Sequence, residues 1–159
     1  MRARVMVAGI LVALGTVLGP ASADAQTPIP AGKVVAGTLS FDGHATVGDF
    51  VGTTSTVTGE MNGGPDLASI RGWVEAPVNT IKTGKDKRDR DMNKSMESDQ
   101  YPMIRYELDS VAPGALAGDT TAVTLHGKFV IHGVTKPADL AGKVVLTHTE
   151  AHVLSLIHI

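Results

Sequence analysis

NTIKTGKDKRDRDMNKSMESDQYPMIRYELD, residues 79–109, is the most distinctive stretch of the chain. Thr83-Gly84 marks a turn after a strand end, and Lys85 to Met96 is a short, charged helical piece. Tyr101-Pro102 then opens a strand in which Ile104, Tyr106 and Leu108 alternate with Arg105, Glu107 and Asp109. That period of two sends one set inward and the other toward water. The helical piece is polar on most sides, with Met92 and Met96 as its only apolar stripe. So short a helix does not persist alone in water. It is expected to lie as a lid or bracket over one end of a larger structure, methionines inward.

Working outward, the same alternation recurs on both sides. Val35, Leu39 and Phe41 share a face, as do Val57 and Met61, then Ile70, Val74, Ala76 and Val78, then Val123, Leu125, Phe129 and Ile131, then Leu140, Val144 and Leu146. Each opposes a mainly polar face, the pattern of antiparallel strands wetted on one side. Asn62-Gly63-Gly64-Pro65-Asp66, Ala112-Pro113-Gly114 with Gly118-Asp119, and His132 to Pro137 carry turn signals between them, which makes a meander. Gly37, Gly59, Gly72, Gly127 and Gly142 fall on the inward parity. Glycine there lets a strand bend and also leaves interior volume, and the sequence does not choose between the two. Trp73 falls on the outward parity between Arg71 and Glu75; stacking on Arg, a contact with the helical piece and a register-flipping bulge are all open, and contact with another segment is preferred.

Composition agrees with an all-β domain. The chain has 159 residues, 43% of them hydrophobic and 19% charged, enough for one domain and not two. Eighteen glycines and many Val and Thr residues suit strands and turns. A net charge of −2 argues against nucleic acid as partner. There is no cysteine, so no disulfide or thiol chemistry. Residues 1–25 read as a secretory signal peptide: Arg2 and Arg4, an apolar run from Val5 to Leu18, and small-x-small sites at Ala21-Ser22-Ala23 and Ala23-Asp24-Ala25. The run falls short of the roughly 20 residues that span a bilayer, so the processed chain is expected in the periplasm or outside the cell, without stable membrane insertion. Residues 26–33 are a Pro-rich spacer. At the other end, residues 154–159 (LSLIHI) form an apolar run without an evident partner strand, and they back-translate as CTG TCT CTT ATA CAC ATC, the mosaic end of a transposon used in sequencing libraries. They are expected to be a non-native tail.

Thr83, Arg88, Asp89, Asp91 and Met92, followed by Tyr101, Pro102 and Ile104, resemble the T-x-x-x-x-RD-x-[HD]-[ML] and YP-x-I-x-F segments of the YceI-like family of bacterial periplasmic and secreted proteins. Tyr106 stands where Phe is commoner. The resemblance, which covers about Val34 to Val145 and is assigned the domain 34–153, implies a lipocalin-like antiparallel β-barrel with one short helix. It implies a polyisoprenoid or similar long apolar molecule in the lumen, and a structural Arg88-Asp89 pair. The family pattern also calls for an R-x-DFG segment that is absent here, so the barrel is expected to be incomplete at its C-terminal end. About six to seven strands are countable, against about eight for a small lipid-holding barrel.

The lumen is then the candidate site. Leu39, Phe41, Val57, Ile70, Val74, Tyr106, Leu108, Leu125, Phe129 and Ile131 are expected to line it, with the Tyr106 hydroxyl offered to a head group. No phosphate loop, nucleophile elbow or zinc spacing occurs, and no cofactor, metal or catalysis is expected. On a strand, His126 and His132 are about 20 Å apart, too far to share one ion, and the histidines read as exposed sheet residues. The runner-up is a periplasmic stress-related interaction protein with a packed core and a working outer face around Trp73. A hydrolase built on Asp89 and Asp91 ranks last, and pairing of two copies stays open. Mass spectrometry of protein exported by its own host should find a chain starting after Ala23 or Ala25. Genomic DNA should run on past Ile159; a stop codon directly after it would show the tail to be native.

Overall fold

The computed structural model describes residues 4–14, 28–46 and 48–158. Among these residues nine strands form one antiparallel sheet: β1 (Arg4–Leu14), β2 (Gly32–Ala45), β3 (Gly48–Thr54), β4 (Thr58–Met61), β5 (Gly72–Pro77), β6 (Met103–Ala117), β7 (Thr120–Ile131), β8 (Val134–Leu146) and β9 (Glu150–His158), with one α-helix, α1 (Asp86–Ser95). The order is β1-β9-β8-β7-β6-β5-β4-β2-β3, and β1 pairs with β2 as well, which closes the sheet on itself. β3 and β4 share one place in the wall, because β3 pairs with β2 from Leu39 to Ala45 and β4 with Gly32 and Lys33. The nine strands thus fill eight positions of an antiparallel β-barrel, the fold class expected from the alternation and the resemblance.

Closure comes from an unexpected quarter. β1 lies within the stretch read as a leader, and it pairs antiparallel with β2 on one side and β9 on the other. β9 extends through Leu154 and Leu156, which pair with Lys143 and Ala141 of β8, so the terminal run has partner strands on both sides. The cleavage sites expected between Ala21 and Ala25, and the start of the spacer, lie outside the described residues.

Inward positions follow the alternation on β5 to β8. Ala76, Tyr106, Leu108, Val123, Leu125, Phe129, Leu140 and Val144 are all buried. Two bulges interrupt it, one in β2 and one in β6. Val35 is an extra residue between the pairs Leu11↔Ala36 and Val12↔Val34, and it turns out to water, 55% exposed, instead of sharing the face of Leu39. Asp109 is extra between Leu108↔Gly127 and Ser110↔His126, so Val111 turns inward on the opposite parity.

The glycines resolve toward curvature. A Cβ on Gly127 would fall on the carbonyl of Glu107 and against the Tyr106 ring, and one on Gly72 would fall on the carbonyl of Glu60. The two carbonyls belong to the backbones of neighbouring strands, so glycine there lets two backbones close up where the wall coils tightly. Phe41 and Phe50 do a related service across the β2–β3 hairpin, each ring lying over its glycine partner, Gly52 and Gly43, and meeting the other edge-on at 6.0 Å.

Each end of the barrel is tied down. At the α1 end, the amide and hydroxyl of Thr83 donate to Asp89 Oδ1 at 2.9 and 2.5 Å. Arg88 donates from Nε to the Thr83 hydroxyl at 2.9 Å and from Nη2 to its carbonyl at 2.6 Å. The guanidinium lies 4.1 Å from the centroid of the Phe50 ring, which ties the helix to β3. Arg88 and Asp89 therefore meet through Thr83 and hold the strand-to-helix turn, while Met92 and Met96 are half-buried. The Thr83 hydroxyl, with its amide and the charges of Lys82 and Arg88, holds the Asp89 carboxyl below its ordinary value against the opposing effect of burial. At the other end, Ile29 and Gly64 exchange two backbone hydrogen bonds of 2.8 Å, and Ile29 and Leu67 pack on the core.

Gly127→Ala should cost about 1–3 kcal/mol or more in urea unfolding, since the methyl would collide with the Glu107 carbonyl and with the buried Tyr106 ring; an unchanged midpoint would refute the close-approach role. Asp89→Asn should lower the thermal midpoint at neutral pH. Because the folded carboxyl titrates low, its contribution is present above the unfolded carboxylate range and lost as pH falls through the folded value. The two proteins should therefore converge in acid, and a gap that persists there would assign the loss to packing.

Candidate functional site

The centre of the barrel is not filled. A cavity of about 100 Å³ lies between the walls, closed at one end by Ile29, Pro30 and Leu67. Of the residues expected to line it, Leu39, Val57, Ile70, Val74, Tyr106, Leu108, Leu125 and Phe129 do so. Phe41 and Ile131 do not: Phe41 is spent on covering Gly52, and Ile131 sits beside the core cluster near the end of β7.

Several lining residues escaped the sequence reading. Ile104, Leu140 and Val144 already stood on faces read as inward and needed only to be added. Val111 was hidden by the bulge at Asp109, Ile29 by its place in a spacer, and Val12 by its place in an apolar leader-like run. Val153 and Ala151 come from β9, beyond the last alternation read as a strand.

The lining is apolar almost throughout. Tyr106 brings a hydroxyl, but that group donates to the carbonyl of Leu125 at 2.9 Å and lies 3.1 Å from that of Ala138. Burial, with lesser help from Asp139 and Asp109, pushes the phenol well above its usual range, so it stays neutral. The expected role as a head-group partner is therefore replaced by a structural one, locking β6 to β7 and β8. The ring packs on Phe129 at 4.9 Å and floors the cavity. Ser155, also buried in the lining, gives its hydroxyl to the Ala141 carbonyl at 2.9 Å. Among the described residues no lining hydroxyl is left to be satisfied by a ligand.

Volume limits what fits. A dry apolar cavity of about 150 Å³ in a packed core takes up benzene, so this space accepts a few carbons of hydrocarbon as it stands. A longer chain needs the wall side chains to give way. Met61, an unbranched thioether at the edge of the cavity, and the Ile29–Gly64 tie are the softest parts of its surround.

The outer face is charged and paired. Arg105 reaches Glu75 at 2.9 Å and Glu107 at 3.2 Å, and Glu107 takes Lys128 at 3.1 Å. The Lys128 ammonium holds the Glu107 carboxyl below its ordinary value, and the carboxylate raises Lys128 in turn. Trp73 stacks under Arg105, ring centroid to guanidinium 4.3 Å, so its partner is the neighbouring strand β6 and not the helical piece. His126 pairs with Asp139 at 2.9 Å and His132 with Glu97 at 3.2 Å, both at the surface. Among the described residues no group of three metal-ligating side chains gathers, and no helix is long and apolar enough to cross a membrane.

Comparisons with known proteins agree with this architecture. The YceI-like domain model matches residues 32–155. No curated protein matches the chain. Among solved structures, BcnA of Burkholderia cenocepacia superposes with a TM-score of 0.56 at 12% identity, over 77% of this chain and 94% of that one. A polyisoprenoid binding domain from Saccharophagus degradans, implicated in plant cell wall breakdown, superposes with a TM-score of 0.53 at 13% identity, over 96% of this chain and 98% of that one. The match spans β2 to most of β9 and takes in both the helix-turn bracket and the YP strand, so the chain belongs to the YceI-like family.

Proposed function

We propose that the protein is an exported, non-catalytic lipid-binding protein that holds the hydrocarbon of a polyisoprenoid or similar long apolar molecule in its barrel. One observation carries this reading: an unfilled space at the centre of the barrel whose lining hydroxyls are already bonded to backbone. Such an almost wholly apolar surface offers a ligand little beyond hydrocarbon contact, so it selects for hydrocarbon. Removing a few hundred Å² of apolar surface from water gains about 25 cal/mol per Å², several kcal/mol before ordering costs. The structural neighbour from Saccharophagus degradans is described as polyisoprenoid-binding, which supports the same ligand class. Arg2, Arg4, the apolar run and the small-residue sites support export through a Sec-type leader to the periplasm or beyond.

Native mass spectrometry of protein purified from its own host should show an extractable lipid in the barrel. Ligand-free protein that also fails to take up an added apolar fluorescent probe would instead support a packed barrel acting through its outer face. Val74→Phe fills the lumen from a half-buried position in its lining. It should weaken probe binding by about tenfold or more, equivalent to roughly 1.4 kcal/mol, while leaving the β-sheet circular dichroism intact. Unaltered binding in a folded variant would place the ligand elsewhere.

A further inference from the structure

The two ends of the barrel differ in charge. At the α1 end, Lys85, Asp86, Lys87, Arg90, Asp91 and Lys94 all stand exposed. Among the described residues, the connections at the other end are 28–31 (PIPA), 62–69 (NGGPDLAS), 114–119 (GALAGD) and 147–149 (THT). Their only carboxylates are Asp66 and Asp119; they hold no Lys or Arg, and His148 is their one histidine. Strand pairing sets these turns around one rim, because Thr120 pairs with Val145, Leu146 with Ala151, and Ile29 with Gly64.

The apolar lining of the cavity comes to the surface at this rim. Ile29, Pro30 and Leu67 cover the opening, and Leu146 lines the cavity while 40% exposed. Next to it in register stands the tip of the β6–β7 hairpin, where every residue from Ala112 to Asp119 is exposed and Leu116 is 70% exposed. A leucine held so far from any core gains nothing from folding, and it gains by entering another apolar medium. The pairs Leu116↔Thr121 and Ala117↔Thr120 keep the hairpin's backbone in a ladder, so the tip can leave water without stranding its amides and carbonyls.

We propose that this rim docks reversibly on the surface of a lipid bilayer, with Leu116 and Leu146 dipping into it, and that the ligand passes between bilayer and lumen beneath Ile29 and Leu67. The inference rests on the lumen reading above. Two observations select a bilayer as the occupant. A molecule held through hydrocarbon contact alone is stored in membranes and not in water, so its source has to meet the mouth of the cavity. The rim also lacks the opposed charges that steer protein partners together. Asp66 accepts from the Ser69 amide at 2.9 Å and Asp119 from the Thr120 hydroxyl at 3.0 Å, yet both carboxylates remain exposed. They repel an anionic surface and tolerate a zwitterionic one.

The test gives protein purified from its own host the apolar probe diphenylhexatriene in two ways: directly, and from phosphatidylcholine vesicles that carry a non-exchanging quencher. The protein should sediment with these vesicles, and less with vesicles enriched in phosphatidylglycerol. Leu116→Asp should weaken vesicle binding and slow uptake from vesicles by about tenfold, the worth of burying part of one leucine. It should leave the affinity for directly added probe unchanged, because Leu116 does not line the cavity. Val134→Asp, at a valine 52% exposed at the opposite end, should change neither. Both positions are exposed, so the variants should fold as the parent does, which circular dichroism checks. Uptake from vesicles indifferent to Leu116→Asp, tighter binding to the anionic vesicles, or a dimer that Leu116→Asp dissolves would overturn the docking surface while direct probe binding upholds the lumen. Failure of the directly added probe to bind overturns both.

Discussion

Rolling one sheet into so narrow a tube forces neighbouring backbones together, and the rest of the structure follows from how the chain accommodates that approach. Gly72 and Gly127 stand where the carbonyl of an adjacent strand comes nearest, and any side chain there would push the wall apart. Because the strands coil so closely, the apolar faces of β5 to β8 meet across a small interior. The space left over is modest, about 100 Å³, and its boundary is hydrocarbon. A wider barrel would hold more but would need larger or ordered contents to stay dry.

The ends of the tube complete the enclosure by different means. At one end a charged helix too short to stand alone is fastened through Thr83, which accepts from Arg88 and donates to Asp89, and through the Arg88–Phe50 contact. At the other, two backbone hydrogen bonds and the side chains of Ile29 and Leu67 cover the opening. The first is a dense polar knot and the second a light apolar cover, so local opening costs less at the second.

Much of this was legible before any coordinates. The period of two along Ile104, Tyr106 and Leu108, and again along Val123, Leu125 and Phe129, fixed which side chains face in, because sheet geometry admits no other arrangement for such strings. The family segment gave the barrel. What stayed hidden was hidden for physical reasons. A bulge leaves no mark in the one-letter code, so Val35 reads as inward although it is the extra residue that turns to water, and Val111, two residues past the bulge at Asp109, does not read as inward at all. The glycine positions were visible but not their meaning, since a missing side chain looks the same whether the neighbour is a ligand or a carbonyl. Tyr106 was correctly placed inside, yet its hydroxyl was expected to await a ligand, because which backbone carbonyls lie within its reach depends on strands β7 and β8, some twenty to thirty residues away in sequence. Val12 and Val153 belong to segments whose hydrophobicity had another ready explanation.

Closure through β1 ties the life history of the molecule to its shape. The same eleven residues that read as an export address also form the stave between β2 and β9. If a peptidase removes them, both flanking strands are left with bare amides and carbonyls along the length of a slot, and that slot invites another extended segment of matching greasiness. Precursor and product would then differ in whether the cask is sealed, and proteolytic trimming would act as the step that uncorks it.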